Sequence, residues 1–342
     1  MIEATQPRVP SARGYVLRLL AATAVVLALV VVVNVAARGA FLQPDNIVRV
    51  LRQITYNCIL GVGETFVIIT AGIDLSIGSL VSLSGVVMAL FANAVPLHGF
   101  ALVVATLAVG VSIGVVAGYL NALPVVTLNL PPFITTLAMM QIALGLSYIV
   151  SHGRPVPLVR QEFLGIGIGT LFGDLTHALH LPSIPVPVLW MVAVIVVCSV
   201  LLQRTRFGRY VFAIGGNEEA ARLAGVNVGR VKAGAYVVSA ICAAIVGFLY
   251  MALFSSGSPQ TGTGDEMLEA IAAVVVGGTS LMGGRGSIVG TFFGALLIGL
   301  LYNAMNLLNV DSYLQKVVLG LVIMLAVALD ELRKRYLARP AR

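Results

Sequence analysis

The sequence predicts an all-α polytopic membrane protein of about ten transmembrane helices with both termini in the cytoplasm. Three observations predict it. Of the 342 residues, 59% are hydrophobic and only 10% charged, whereas soluble domains run near a quarter charged. Such a chain has ample apolar mass but no polar skin, so lipid must replace water around most of it. Apolar stretches of near-spanning length then follow one another along the chain, and the basic residues divide unequally among their connections.

A spanning helix needs about 20 mostly apolar residues. The stretches that qualify are 17–36, 54–73, 77–96, 100–121, 132–150, 186–202, 234–255, 268–282, 288–308 and 313–330. Arg8, Arg13 and Arg18 precede the first run, which is longer than the apolar core of a signal peptide and is followed by further runs. It reads as a retained helix. The second and third stretches are joined only by Asp74-Leu75-Ser76. The stretch 268–282 is short and glycine-bounded, which predicts a broken or tilted passage. The organisation is thus a tail (1–16), one membrane domain (17–330) and a basic tail (331–342).

Placing the N-terminus inside and alternating puts fifteen of the 21 Lys and Arg residues on the cytoplasmic side. They cluster at 8–18, 204–232, 285 and 333–342. The six outside are Arg38, Arg49, Arg52, Arg154, Arg160 and Lys316. This is the expected inside excess of positive charge. It also accounts for the net charge of +7 without a nucleic-acid partner.

Other classes find no support. Cys58, Cys198 and Cys242 lie in apolar runs with no metal-ligand spacing and read as small buried hydrophobes. His177 and His180 are three apart but lack a third ligand. No GxxxxGK[ST] run exists to cradle phosphate, so any ATP that drives transport must be hydrolysed by another polypeptide.

Two connections are long. For the outer segment 151–185, with four prolines and the run Gly165-Ile166-Gly167-Ile168-Gly169, two placements are open, on the membrane surface or across an outer mouth. The inner segment 203–233 is charged and carries a helix signature. Asn217 is a good N-cap. Glu218 and Glu219 fall in the first turn, where the helix dipole favours acids. Ala220, Ala221, Leu223 and Ala224 are helix formers, and Gly225 is a natural stop. A helix of about two turns is marginal alone, so it rests on its own bundle or docks into a partner.

Three segments, in order, resemble the ribose-type permeases of binding-protein-dependent ABC importers. They are Gly63–Leu80 (GETFVIITAGIDLSIGSL), the loop 204–225, and Leu268–Ser287 (LEAIAAVVVGGTSLMGGRGS). The resemblance covers about residues 45–330. It implies a bacterial inner-membrane permease subunit similar in fold to type II importers, taking up a sugar-like solute. The implied partners are a second copy or close paralogue, two cytoplasmic ATPase subunits that bind ATP and magnesium, and a periplasmic binding protein. No cofactor is implied on this chain. The resemblance also implies that Gly216, Asn217, Glu218, Glu219, Ala221, Arg222, Leu223 and Gly225 form the ATPase-coupling contact.

Polar residues inside spans carry two readings each. Glu64 either lines the pathway or ties helices together; it is not easily a proton-coupling site, since no second intramembrane acid or His accompanies it. Asp74 is placed to cap the helix that follows it, or to gate. Asn57, Gln141, Asn303 and Asn306 have amides that can meet sugar hydroxyls or another helix. A separate binding protein would select the solute, so no tight pocket is expected here. Gly277, Gly278, Gly284 and Arg285 flank the short span, as hinge or as packed turn. Against the importer stand a stand-alone secondary transporter or channel, which would need more intramembrane acids, and a membrane enzyme, which would need clustered His, Asp or Ser.

Overall fold

The computed structural model describes residues 34–171 and 183–338. Most of the predicted span 17–36, and His177 and His180, lie outside the described residues. The helices are α1 (Pro44–Ile69), α2 (Ile77–Ala94), α3 (Gly99–Thr127), α4 (Pro132–Val150), α5 (Val186–Arg204), α6 (Arg206–Gly216), α7 (Glu218–Leu223), α8 (Val228–Phe254), α9 (Glu266–Val276), α10 (Ile288–Leu307) and α11 (Ser312–Ala338). Among the described residues, six of these are long and apolar enough to cross a membrane: α2, α3, α4, α5, α8 and α10.

Helix α1 begins ten residues before the predicted stretch. Pro44 starts it, where a missing N–H costs nothing, and Asp45, Arg49 and Arg52 carry the helix beyond its apolar part. From Ile54 onward α1 is almost wholly buried. It runs through the middle of the bundle against α8, α10, α9 and α5.

Helices α3 and α8 form the most extensive packed pair. Gly110, Gly114 and Gly118 stand four apart on α3, and methyls there would press on Met88, on Ala240 and on Tyr236–Val237 respectively. Small residues at this spacing let two helix backbones approach closely in a membrane.

The predicted span 268–282 is corrected. Its helix, α9, has 11 residues, about 16 Å of rise against a hydrocarbon core of ~30 Å. The chain before it, from Ser255 to Asp265, is not helical. It starts as β4 (Ser256–Gly257), paired antiparallel with β1 (Val156–Pro157) of the outer segment. It then descends along α2, where Gly257 lies against Gly85 and Gly262 against Gly78. The stretch 255–276 is therefore two strand residues, a run of hydrogen-bonded turns through Thr261 and Thr263, and a short helix.

The outer segment folds across the end of the bundle. The Arg160 side chain donates to the carbonyls of Ala92 (3.1 Å) and Val95 (2.8 Å). Asn93 donates to the carbonyl of Pro157 at 2.7 Å, and Gly167 packs on the backbone of Ala252. The turn 164–167 thereby rests on α8. A second antiparallel pair joins β2 (Thr170–Leu171) to β3 (Ile184–Pro185).

Candidate functional site

Three structural features bring the sequence-selected residues together or separate them. The first lies on the face opposite the outer segment. Thr205 caps α6, accepting from Gly208 N–H at 3.3 Å. The sequence reading missed α6 because glycines at 208, 215 and 216 mask its amphipathic run. Asn217 then caps α7, accepting from Ala220 N–H at 2.9 Å. Gly225 ends it with φ +83°. Its N–H donates to Arg222 and that of Val226 to Ala221, both at 3.0 Å, the paired bonds of a left-handed stop.

Glu218 is committed inward, receiving Lys232 Nζ at 2.6 Å and Arg222 at 3.1 Å. Glu219, Ala220 and Arg222 are exposed, and Leu223 is 84% exposed. Ala221 is corrected: at 5% exposure it points into the protein, not outward. A six-residue helix has one packed side, and Ala221 occupies it.

This element meets two others at backbone distance. A methyl on Gly215 would collide with the carbonyl of Ile69, at the end of α1, and with the amide of Gly284. Gly284 N–H donates to that same Ile69 carbonyl at 2.9 Å. Gly216, one residue on, has open space. Gly278 and Gly284 take positive φ, +89° and +72°. Gly277 lies against the backbone of Gly290, and Arg285 is exposed. The glycine-bounded turn after α9 is thus a contact for the end of α6.

The second feature is a buried acid hub. Glu64 and Asp74 are both 0% exposed. After Ile69 the chain folds back inward, so Asp74 N–H donates to Glu64 Oε1 at 2.9 Å. The Asp74 carboxylate accepts from Ser76 N–H (2.9 Å), Ser76 Oγ (2.6 Å), Asn121 (3.1 Å) and Ser239 (3.2 Å). It therefore ties α1, α2, α3 and α8. The helix N-cap is Ser76, without a side-chain cap bond; Asp74 sits two residues earlier and serves the tertiary structure instead. Glu64 is not among the residues that line the polar cleft at Asn57 and Glu269.

The third feature is a polar cleft of about 410 Å³, lined by Gln53, Asn57, Tyr250, Asp265, Glu266 and Glu269. A narrower extension reaches Tyr302 on α10. Asn57 hydrogen-bonds Glu269, and Lys316 pairs with Asp265 at 2.6 Å. Tyr56 and Tyr250 stack beside it with ring centroids 4.3 Å apart. Of the predicted pathway residues only Asn57 lies here. Asn303 is buried in a reciprocal amide pair with Asn46, at 2.8 and 2.9 Å. Asn306 accepts from Gln315 at 2.8 Å, and Gln141 is exposed on α4.

The expectation that no second acid accompanies Glu64 inside the spans is also corrected. Glu269, half-buried on α9, sits inside the bundle but was hidden in an apolar run. The i, i+4 pair Gln53 and Asn57 on α1 was the available signal.

These features define a multi-pass helical membrane protein with a polar cleft in the bundle and a short capped helix displayed on one face. The chain belongs to the family described as "Branched-chain amino acid transport system / permease component", matched over residues 46–327. It is similar to the ribose import permease protein RbsC of Escherichia coli, 42% identical over 294 residues, 85% of this chain and 87% of that protein. The corresponding protein of Bacillus subtilis is 41% identical over 303 residues, 88% and 89% of the two chains. The fructose import permease protein FrcC of Rhizobium meliloti is 36% identical over 300 residues, 86% and 79%. No solved structure matches.

Proposed function

We propose that this chain is the permease subunit of an ATP-driven ABC importer in the bacterial inner membrane, moving a monosaccharide or similar polyol. The observation that carries this reading is the exposed face of α7, with Leu223 84% exposed beside Arg222 and Glu219. A large apolar side chain held out by a capped, salt-bridged helix is a docking knob. The likeness to the ribose and fructose import permeases supports the class of solute.

In this reading two copies, or one copy and a paralogue, enclose the path. Two ATPase domains, carrying ATP and magnesium, dock on α7 of each, and a periplasmic protein delivers the solute. The chain itself takes no cofactor. The proposed topology has about ten crossings with both termini cytoplasmic. It counts 17–36 as the first crossing and 255–276 as a broken one. The cleft at Asn57 and Glu269 is the solute path, where amide, carboxyl and tyrosine groups exchange hydrogen bonds with hydroxyls.

The test is co-purification of the detergent-solubilised chain with its ATPase, comparing the native chain with Leu223→Asp plus Arg222→Glu. Loss of the ATPase from a normally melting variant supports the dock. Undiminished capture removes α7 from the contact. ATP-independent uptake in vesicles would favour the stand-alone transporter, a reading to which the acids of the cleft give some footing.

A further inference from the structure

A trough runs down the outside of the bundle between α2, α3 and α4, about 800 Å³ in volume. Its lining is nearly all hydrocarbon, including Leu80 and Leu83 on α2, Ile113 and Leu120 on α3, and Ile142 and Leu146 on α4. Its floor is small: Ala117 and Ala143 are buried. Its lips are bulky: Val116, Leu120, Ile142 and Leu146 are exposed.

Leu123, beside the in-helix Pro124, lines both this trough and a second, adjoining hollow of about 260 Å³. The chemistry changes there, because this hollow is lined by Tyr119, Thr127, Asn227 and Arg230. Arg230 is exposed in the first turn of α8 and pairs with no carboxylate among the described residues. Nearby, Arg222 and Lys232 are both taken by Glu218.

We propose that these two adjoining hollows together bind one anionic phospholipid, its acyl chain in the trough and its phosphate on Arg230. The polarity gradient matches one molecule: about 800 Å³ of apolar slot ends at a cation, two amide or hydroxyl side chains and a tyrosine. The cationic end lies on the face that carries α7, where basic residues meet anionic headgroups. A helix of a second copy fits poorly. Helix pairs in membranes close over small residues, and here the lips are branched while the alanines lie on the floor. A helix about 10 Å wide would be held off by those lips, and an acyl chain would not.

The site also borders the coupling segment. Val226 N–H bonds the Ala221 carbonyl at 3.0 Å, and Asn227 caps α8 by accepting from Arg230 N–H at 3.0 Å. A bound lipid therefore braces α3 and α4 against the turn that carries α7.

The experiment is native mass spectrometry of the full chain in mild detergent. It is titrated with phosphatidylglycerol or phosphatidylethanolamine carrying the same acyl chains. We expect one phosphatidylglycerol to be retained preferentially. Arg230→Ala lowers that preference about fivefold, weakening phosphatidylglycerol more than phosphatidylethanolamine, whose ammonium offsets its phosphate charge, and Arg230→Lys keeps it. Ala108→Phe or Ser112→Phe, both exposed positions in the trough, removes retention of both lipids without lowering the melting temperature. Equal retention of both lipids, unchanged by any variant, assigns the adducts to bulk lipid and overturns the proposal. Dissociation of a dimer by Ala108→Phe with lipid retention intact overturns it in favour of a protein interface.

Discussion

The backbone N–H of Asp74 donates to Oε1 of Glu64 at 2.9 Å, so the chain that leaves α1 returns to it ten residues later with its own acid alongside. Four further donors converge on the Asp74 carboxylate, from Ser76, Asn121 and Ser239. Removing that acceptor strands buried donors on three helices. Asp74→Ala is expected to cost about 3 kcal/mol, seen as a melting temperature several degrees lower in detergent. Asp74→Asn, which keeps one oxygen, should fall between. A melting curve for Asp74→Ala that overlays the native one would remove the hub from the fold's support.

Two adjacent glycines should behave oppositely. Gly215 touches the Ile69 carbonyl and the Gly284 amide, while Gly216 faces open space. Gly215→Val must part α6 from α1 and break the Gly284–Ile69 bond, and uptake should drop at least tenfold. Gly216→Ala should transport normally. Equal effects of the two would show that the contact at Gly215 is not needed for coupling.

Within the cleft, Asn57→Leu leaves Glu269 without its amide partner and removes a group that can meet hydroxyls. Solute uptake should fall about tenfold or more, with ATPase capture unchanged because α7 is untouched. Gln141→Leu, at an exposed position on α4 away from the cleft, serves as the control and should transport normally.

The outer segment is pinned by Arg160, whose guanidinium serves the carbonyls of Ala92, in the last turn of α2, and of Val95 just beyond it. Arg160→Ala should raise hydrogen exchange across 153–163 while α2 stays protected. Unaltered exchange would refute the pinning.

Beside it, the Glu162 carboxyl is held below its ordinary value of 4.5 by its own residue's N–H, with Gly99 N–H adding to this. A lowered folded value means the stabilisation is complete above the unfolded value and is lost as pH falls through the folded one. Protection factors in 153–163, taken relative to the intrinsic exchange rate at each pH, should therefore be flat near neutrality and fall only below about pH 4.5. Glu162→Gln should abolish that acid loss of protection.

What was readable in the sequence was local. Asn217, the acids after it and Gly225 mark α7 because a cap and a stop are decided within a few residues. The glycines after Val276 marked the end of α9 for the same reason, but not the non-helical stretch before it. What was not readable depends on partners distant in the chain. Nothing near Asp74 announces Asn121 or Ser239, and its position before a helix suggested a cap. Glu269 was hidden in an apolar stretch, since its environment is made by Asn57, 212 residues away. The β1–β4 pair joins residues about a hundred apart through two dipeptides too short to leave a pattern.

The non-helical stretch from Ser255 to Asp265, which the proposed topology places within the membrane, bears on how the protein is made. A nascent helix can enter lipid alone because its peptide groups satisfy one another. The stretch 255–265 cannot, and within the membrane its peptide groups must be shielded by neighbouring protein. Its backbone is matched to the glycine-bearing flank of α2, at Gly78 and Gly85. Insertion of this region is therefore conditional. It must wait at the translocon or the headgroup layer until α2 and α8 have come together, which makes the carboxyl-terminal third of the chain the last to become resistant to quality-control proteases.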